Sequence, residues 1–210
     1  MDIAIIDYGL SNLHSVENAC QKFNLSYVIT NSETDIKAAK ILILPGVGAF
    51  GEAMLRLRKN KTDYYIRKFV DTGKPLIGIC LGFQLLFDRS EEFGDYKGLG
   101  LIKGTVKKLP FILDSNRFVL PHLGWNKIFK QNDNWNHSLL RGVNDGDFMY
   151  FVHSYYVEPF CKDIVLSSTT YGNNNFCSSI MSENITGFQF HPEKSGQLGL
   201  SIFENLKKLI

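Results

Sequence analysis

No stretch of the 210-residue sequence reaches the roughly 18 uninterrupted apolar residues that a membrane span needs. Charge of one sign is not concentrated either. The 23 Lys and Arg and the 21 Asp and Glu are spread along the chain and leave a formal charge of +2. That distribution argues against nucleic acid or an anionic membrane as the main partner. Four cysteines, Cys20, Cys80, Cys161 and Cys177, lie far apart without a CxxC pair or metal-ligand spacing. They read as reduced thiols of a cytoplasmic protein, not as a disulfide framework or a metal centre. The N-terminus has no basic n-region or small-residue cleavage site and enters a strand pattern directly. Linkers, repeats and low-complexity tracts are missing, so the whole of 1–210 reads as one domain.

What is present falls into two halves. Short, nearly all-apolar runs at 3–7, 26–30, 41–44 and 76–79 alternate with helical spacing at 13–23, 50–58, 63–72 and 81–88. Apolar strands separated by helices imply a mostly parallel sheet covered on both faces, an α/β core. From 99 to 189 the segments alternate more and are rich in Phe, Tyr, Val and Thr between turn clusters, which predicts an antiparallel extension. An amphipathic helix at about 198–209 closes the chain.

The stretch "PLIGICLGFQLLF", residues 75–87, places one cysteine between a buried strand and a helix. Gly78-Ile79-Cys80-Leu81-Gly82 has the G-x-nucleophile-x-G form of a nucleophile elbow, with Cys in place of Ser. A sharp strand-to-helix turn strains the backbone and crowds it against its neighbours, which explains the glycines. The sulfur would project at the carboxyl edge of the sheet, where open α/β folds bind ligands. A helix N-terminus there would favour the thiolate, and the Leu81 amide would be free for an oxyanion. The plain alternative is a buried cysteine packing in an apolar strand.

The far end of the chain supplies a base. A strand pattern at 185–190 runs into "FHPEKSG", and in an extended segment His191 and Glu193 lie on one face. Glu193 can then accept a proton from one ring nitrogen and aim the other at a thiol, which is the logic of a catalytic triad. A capping or surface histidine is the alternative for His191 alone.

Together, "LPGVGAFG", "GICLGFQLLF" and "FHPEKSG" resemble the class I, triad-type glutamine amidotransferases. "DYGLSNLHSV", "PHLGWN" and "YFVHSYY" narrow the resemblance to the glutaminase subunits that feed a cyclase of histidine biosynthesis. The likeness runs from Met1 to the final helix. It implies a flavodoxin-like glutaminase that passes ammonia to a (β/α)8-barrel cyclase in a heterodimer. Carried over, Cys80 is the nucleophile, His191 the general base and acid, and Glu193 its orienting carboxylate. Val47 and Leu81 supply the oxyanion hole. Gly46, Gly48, Gln84, Glu92, Ser154 and Tyr155 hold the glutamine substrate, and Asn12, Trp125, Tyr150 and Lys194 face the cyclase. Ser11 stands where the family most often has glycine, and Phe83 and Leu123 where methionine is usual. On residue type alone, Trp125 and Tyr150 could be core aromatics, Gln84 and Glu92 a solvated helix face, and "PGVG" an ordinary turn. Cys20, Cys161 and Cys177 read as core fillers, and His122 and His153 as structural hydrogen-bonders.

The implied reaction is attack of Cys80 on the amide of L-glutamine, release of ammonia, and hydrolysis of the thioester. Ammonia would enter a ribulosyl carboxamide nucleotide, giving imidazole glycerol phosphate and an aminoimidazole carboxamide ribotide. This chemistry calls for no metal or organic cofactor. Three other readings stay open: a glutaminase serving an amidating enzyme of a bacterial surface-sugar pathway, a peptidase-like cysteine hydrolase, and a non-catalytic regulatory subunit.

Overall fold

Runs of branched and aliphatic residues with no polar face can be buried only between two layers, and that is where the first strands lie. The computed structural model of the chain describes residues 2–110 and 120–210; the part of the expected antiparallel region at 111–119 lies outside them. Three fully buried strands, β1 (Ile3–Ile6), β3 (Ile41–Gly46) and β4 (Leu76–Cys80), and the half-buried β2 (Tyr27–Thr30) form the parallel half. Between them run α1 (Leu13–Lys22), α2 (Glu33–Ala38), α3 (Phe50–Lys59) and α4 (Thr62–Val70), and α5 (Leu81–Leu85) follows β4. The short helix α2 carries few apolar residues and gave no periodic signal in the sequence.

The expected helix over 81–88 is corrected: α5 has five residues, and β5 (Phe87–Ser90) begins where a helix was expected. Amides of Leu99, Leu101 and Ile102 donate to the carbonyls of Leu85 and Leu86, so a distant segment caps the helix and ends it early. Then follow β6 (Tyr96–Lys97), β7 (Ile102–Lys108), β8 (His122–Lys127), β9 (Phe129–Lys130), β10 (Phe148–His153), β11 (Tyr155–Pro159), β12 (Val165–Tyr171), β13 (Asn174–Ser182) and β14 (Ile185–Phe188). The last helix, α6 (Gly196–Asn205), continues as a 3-10 turn, Leu206–Leu209.

The sheet runs β2-β1-β3-β4-β14-β13-β11-β7-β5-β6, and β8 pairs with β10 as a separate two-stranded ribbon. β14 lies parallel to β4, with Phe188 opposite Ile79, and β3 lies on the other side of β4, with Gly46 opposite Cys80. Three adjacent carboxyl ends therefore bring together "PGVG", Cys80 and the segment leading to His191. Apolar cores fill both faces. One is built around Phe50, Leu57, Phe83 and Phe87, and the other around Val16, Phe151, Phe188 and Phe203.

Phe83 ties the elbow to β14. It is fully buried, and a β-carbon added to Gly187 would sit 2.0 Å from its ring. Gly187→Ala is expected to destabilise the fold by about 1–3 kcal/mol through overpacking. Phe83→Met in the same chain should recover a large part of that loss, because the two sites touch. Urea denaturation of the four members of the cycle checks this, and additive effects would contradict it.

Candidate active site

Cys80 ends β4 with φ 54° and ψ −110°, a conformation that costs a non-glycine residue about 1–3 kcal/mol. The surrounding chain enforces it. Gly82 passes so close beneath β3 that a β-carbon there would lie 1.8 Å from the Leu44 carbonyl oxygen. Leu81 opens α5, so its amide takes no part in an intrahelical bond. Because α5 is so short, it contributes less dipole than a full helix, and specific donors matter more at the sulfur. The thiol is buried, with the Val152 carbonyl 3.8 Å away as its acceptor and the Gln189 side-chain amide donating to it from 3.9 Å.

His191 follows β14 and is itself buried. The segment after it is not extended as the sequence suggested: Pro192–Lys194 forms a 3-10 turn. Proline's fixed φ suits the first position of that turn, and the turn still brings Glu193 Oε1 to 2.7 Å from His191 Nδ1. The other ring nitrogen, Nε2, is buried without a hydrogen-bond partner among the described residues. Burial works against the charged ring. The facing Cys80 sulfur and then Glu193 outweigh it and raise the imidazole well above its ordinary value. No hydrogen bond joins Nε2 to the Cys80 thiol, which is turned to the Val152 carbonyl. A thiol, an imidazole and a carboxylate in that order can pass a proton from sulfur to ring while the carboxylate stabilises the imidazolium.

A cavity of about 250 Å³ opens over the sulfur, lined by Val47, Gly48, Leu81, Gln84, Glu92 and Tyr155 among others, including Ser154. A larger cavity of about 720 Å³ lies at the opposite, amino-terminal edge of the sheet near Pro75, Asn184 and Thr186, away from any of this chemistry. Gln84 and Glu92 are both buried, which removes the solvated-face alternative. Gln84 donates to the Tyr155 carbonyl at 2.8 Å. Glu92 Oε2 accepts the Phe50 amide at 2.7 Å; burial raises its carboxyl pKa, and that hydrogen bond partly offsets the rise. Gly46 is packed under the Tyr8 hydroxyl, which donates to the Pro45 carbonyl at 3.0 Å. The Val47 amide is turned to the Leu10 carbonyl at 2.9 Å rather than toward the sulfur.

The residues expected to face a partner separate from the core. Trp125 is 54 % exposed and packs edge-on against Tyr150 on the outer face of the β8–β10 ribbon, so it is not a core aromatic. Leu123 is 63 % exposed on the same face. Asn12 and Lys194 are half-buried, and Lys194 has no ion-pair partner among the described residues. Cys20 and Cys177 are core fillers as expected, their thiols pushed up to about 12, chiefly by burial. Cys161 is exposed and is corrected on that point: it lies in the polar turn after β11, outside the apolar pattern. Sequence reasoning passed over Gln189, fully buried beside Cys80; its position two residues before the histidine was the only signal.

The sequence pattern of the family "Glutamine amidotransferase class-I" matches residues 4–208. The chain belongs to that family. Curated relatives of this amidotransferase include the imidazole glycerol phosphate synthase subunit HisH of Aquifex aeolicus, 43 % identical over 99 % of this chain and 97 % of that protein. The subunit of the same description from Sulfurimonas denitrificans is 44 % identical over 98 % and 97 %. Among solved structures, PurLQS from Thermotoga maritima superposes with a TM-score of 0.74 at 20 % identity, covering 100 % of this chain and 99 % of that one. A structure described as a glutamine amidotransferase gives 0.75 at 15 % identity, covering 100 % and 98 %. At those identities the structural likeness speaks for the fold: a mostly parallel central sheet with an antiparallel extension.

A diazo-ketone analogue of glutamine should label Cys80 and spare Cys20, Cys161 and Cys177. The two buried thiols are protonated and enclosed, and Cys161 is far from the cavity that would recognise the analogue. Peptide mass mapping reads the outcome, and even labelling of all four would contradict it.

Proposed function

We propose that the chain is the glutaminase subunit of an imidazole glycerol phosphate synthase and that Cys80, His191 and Glu193 carry its chemistry. The observation that carries this reading is the 2.7 Å bond from His191 Nδ1 to Glu193, with Nε2 left over for the Cys80 side. His191 takes the thiol proton, and the Cys80 sulfur bonds to the side-chain carbonyl carbon of glutamine. The carbon–nitrogen bond then breaks, with His191 protonating the departing ammonia. Water activated by His191 hydrolyses the thioester, releasing glutamate and restoring the thiol. Gly46, Gly48, Gln84, Glu92, Ser154 and Tyr155 hold the substrate, and the Leu81 and Val47 amides stabilise the tetrahedral oxyanions. One lost donor of that kind costs on the order of 10²–10³ in rate.

The Val47 amide must leave Leu10 to serve. Flanking glycines at 46 and 48 make a second peptide orientation accessible, so the isolated chain rests in a slow state. The partner that shifts the balance is a (β/α)8-barrel cyclase in a heterodimer, docked over Asn12, Trp125, Tyr150 and Lys194. Exposed Trp125, packed on half-buried Tyr150, and the uncompensated charge of Lys194 support that surface, and the complementary partner group is an acid. A cytoplasmic setting accords with four free thiols, and the chain acts as one domain.

Glutaminase rates with and without cyclase and its nucleotide substrate test the proposal. Cys80→Ala should abolish ammonia release while leaving complex formation intact. In the wild type, partner plus nucleotide should accelerate turnover by up to about 150-fold, a coupling of roughly 3 kcal/mol. Lys194→Ala should blunt that acceleration. Wild-type turnover in Cys80→Ala would refute the chemistry, and full activity of the isolated chain would refute the gating.

A further inference from the structure

The sequence "FQFHPE" places an amide between two fully buried phenylalanines, and Gln189 is itself fully buried. A primary amide in that setting costs several kcal/mol unless its groups are bonded, so its partners should be specific. They are. Its Oε1 accepts from Gln84 Nε2 at 3.1 Å, and its Nε2 donates to Cys80 Sγ at 3.9 Å. Gln84 spends its other N–H on the Tyr155 carbonyl at 2.8 Å.

That carbonyl also accepts from His153 Nδ1 at 2.9 Å, which assigns the tautomer of every ring behind it. With its proton on Nδ1, neutral His153 offers Nε2 as an acceptor, and His122 Nδ1 donates to it at 3.0 Å. His122 Nε2 then accepts from Asn126 Nδ2 at 3.2 Å, and the same Asn126 nitrogen donates to the Thr170 carbonyl at 2.9 Å. Burial holds both rings neutral, with His122 pushed down to about 4 and His153 to about 3, His122 adding to the effect on the latter. His122 lies stacked between Phe151 and Tyr171 at 4.9 and 4.1 Å, so the ring cannot turn freely. Each member thus has one allowed polarity. Flipping the Gln189 amide would set oxygen against sulfur and N–H against N–H.

The Val152 carbonyl accepts from the sulfur and the Gln189 N–H donates to it, and a donor there stabilises the negative charge that develops on the sulfur as it attacks. We propose that Gln189 is a positioning residue for the nucleophile, holding the Cys80 sulfur through an amide whose orientation Gln84 and the Tyr155 carbonyl fix. The proposal rests on the reading of Cys80 as nucleophile and adds to it the residue that fixes the sulfur.

The test is made on the full chain carrying Cys161→Ser, which removes the exposed thiol. The rate at which iodoacetamide alkylates Cys80 at neutral pH is measured beside glutaminase kcat and KM. Gln189→Met should slow alkylation about tenfold and lower kcat by a similar factor, with KM for glutamine within about twofold. Gln84→Met removes the donor that orients the Gln189 amide and should slow alkylation about threefold. Unchanged alkylation in Gln189→Met, or a rise in KM alone, overturns the proposal. Should Gln189→Met fail to fold, unchanged alkylation in Gln84→Met overturns it. Alkylation needs no glutamine, so slowed alkylation in a chain that never hydrolyses glutamine would fault the proposed function and leave the positioning intact.

Discussion

The close passage of Gly82 beneath the Leu44 carbonyl is the constraint on which the site depends. No side chain fits there, so α5 can start directly under β3, and Cys80 is forced to φ 54° to make the turn. The strain, about 1–3 kcal/mol, is met by the apolar packing on both faces of β4. One turn thereby fixes three things: the sulfur at the carboxyl edge, the Leu81 amide outside any helical bond, and the "PGVG" turn alongside both. A wider turn would separate them.

The return of the chain completes the arrangement. β14 fills the place beside β4, more than a hundred residues after it in sequence, and delivers His191 to the same edge. The backbone then ties the histidine to the ribbon. The His191 amide donates to the Tyr150 carbonyl at 2.9 Å, the Tyr150 amide donates to Ser195 Oγ at 2.9 Å, and Ser195 Oγ donates to the His191 carbonyl at 2.6 Å. The strand that presents Tyr150 outward beside Trp125 is thus the strand that holds the histidine from within. Its next residues, Val152 and His153, line the cavity. The face that carries Tyr150 and the cavity over Cys80 share one short strand, which gives coupling between them a physical route.

Much of this was legible in the residues. The parallel strands were legible because buried β-branched runs have few other uses, and the elbow because its glycines sit where backbone must touch backbone. The length of α5 was not, since the amides of Leu99 to Ile102 end it and no local pattern announces them. Likewise, Pro192 turned an expected extended segment into a 3-10 turn without disturbing the bond between His191 and Glu193. Exposure at Trp125 could not be read from its type, because alternation along β8 says which residues share a face and not which face meets water. Gln189 was hidden for the opposite reason: a polar residue in a strand reads as outward-facing, and only the structure shows it facing a sulfur.

The central claim is that a covalent acyl group forms on Cys80 when glutamine is bound, with His191 resolving it. Trapping that acyl group in acid tests this most directly. The wild-type chain, mixed with glutamine and quenched in acid within a single turnover, should carry one glutamyl group on the peptide containing Cys80 and on no other cysteine peptide. An adduct on a different residue, or ammonia released by the wild type with no adduct ever trapped on Cys80, would contradict the account.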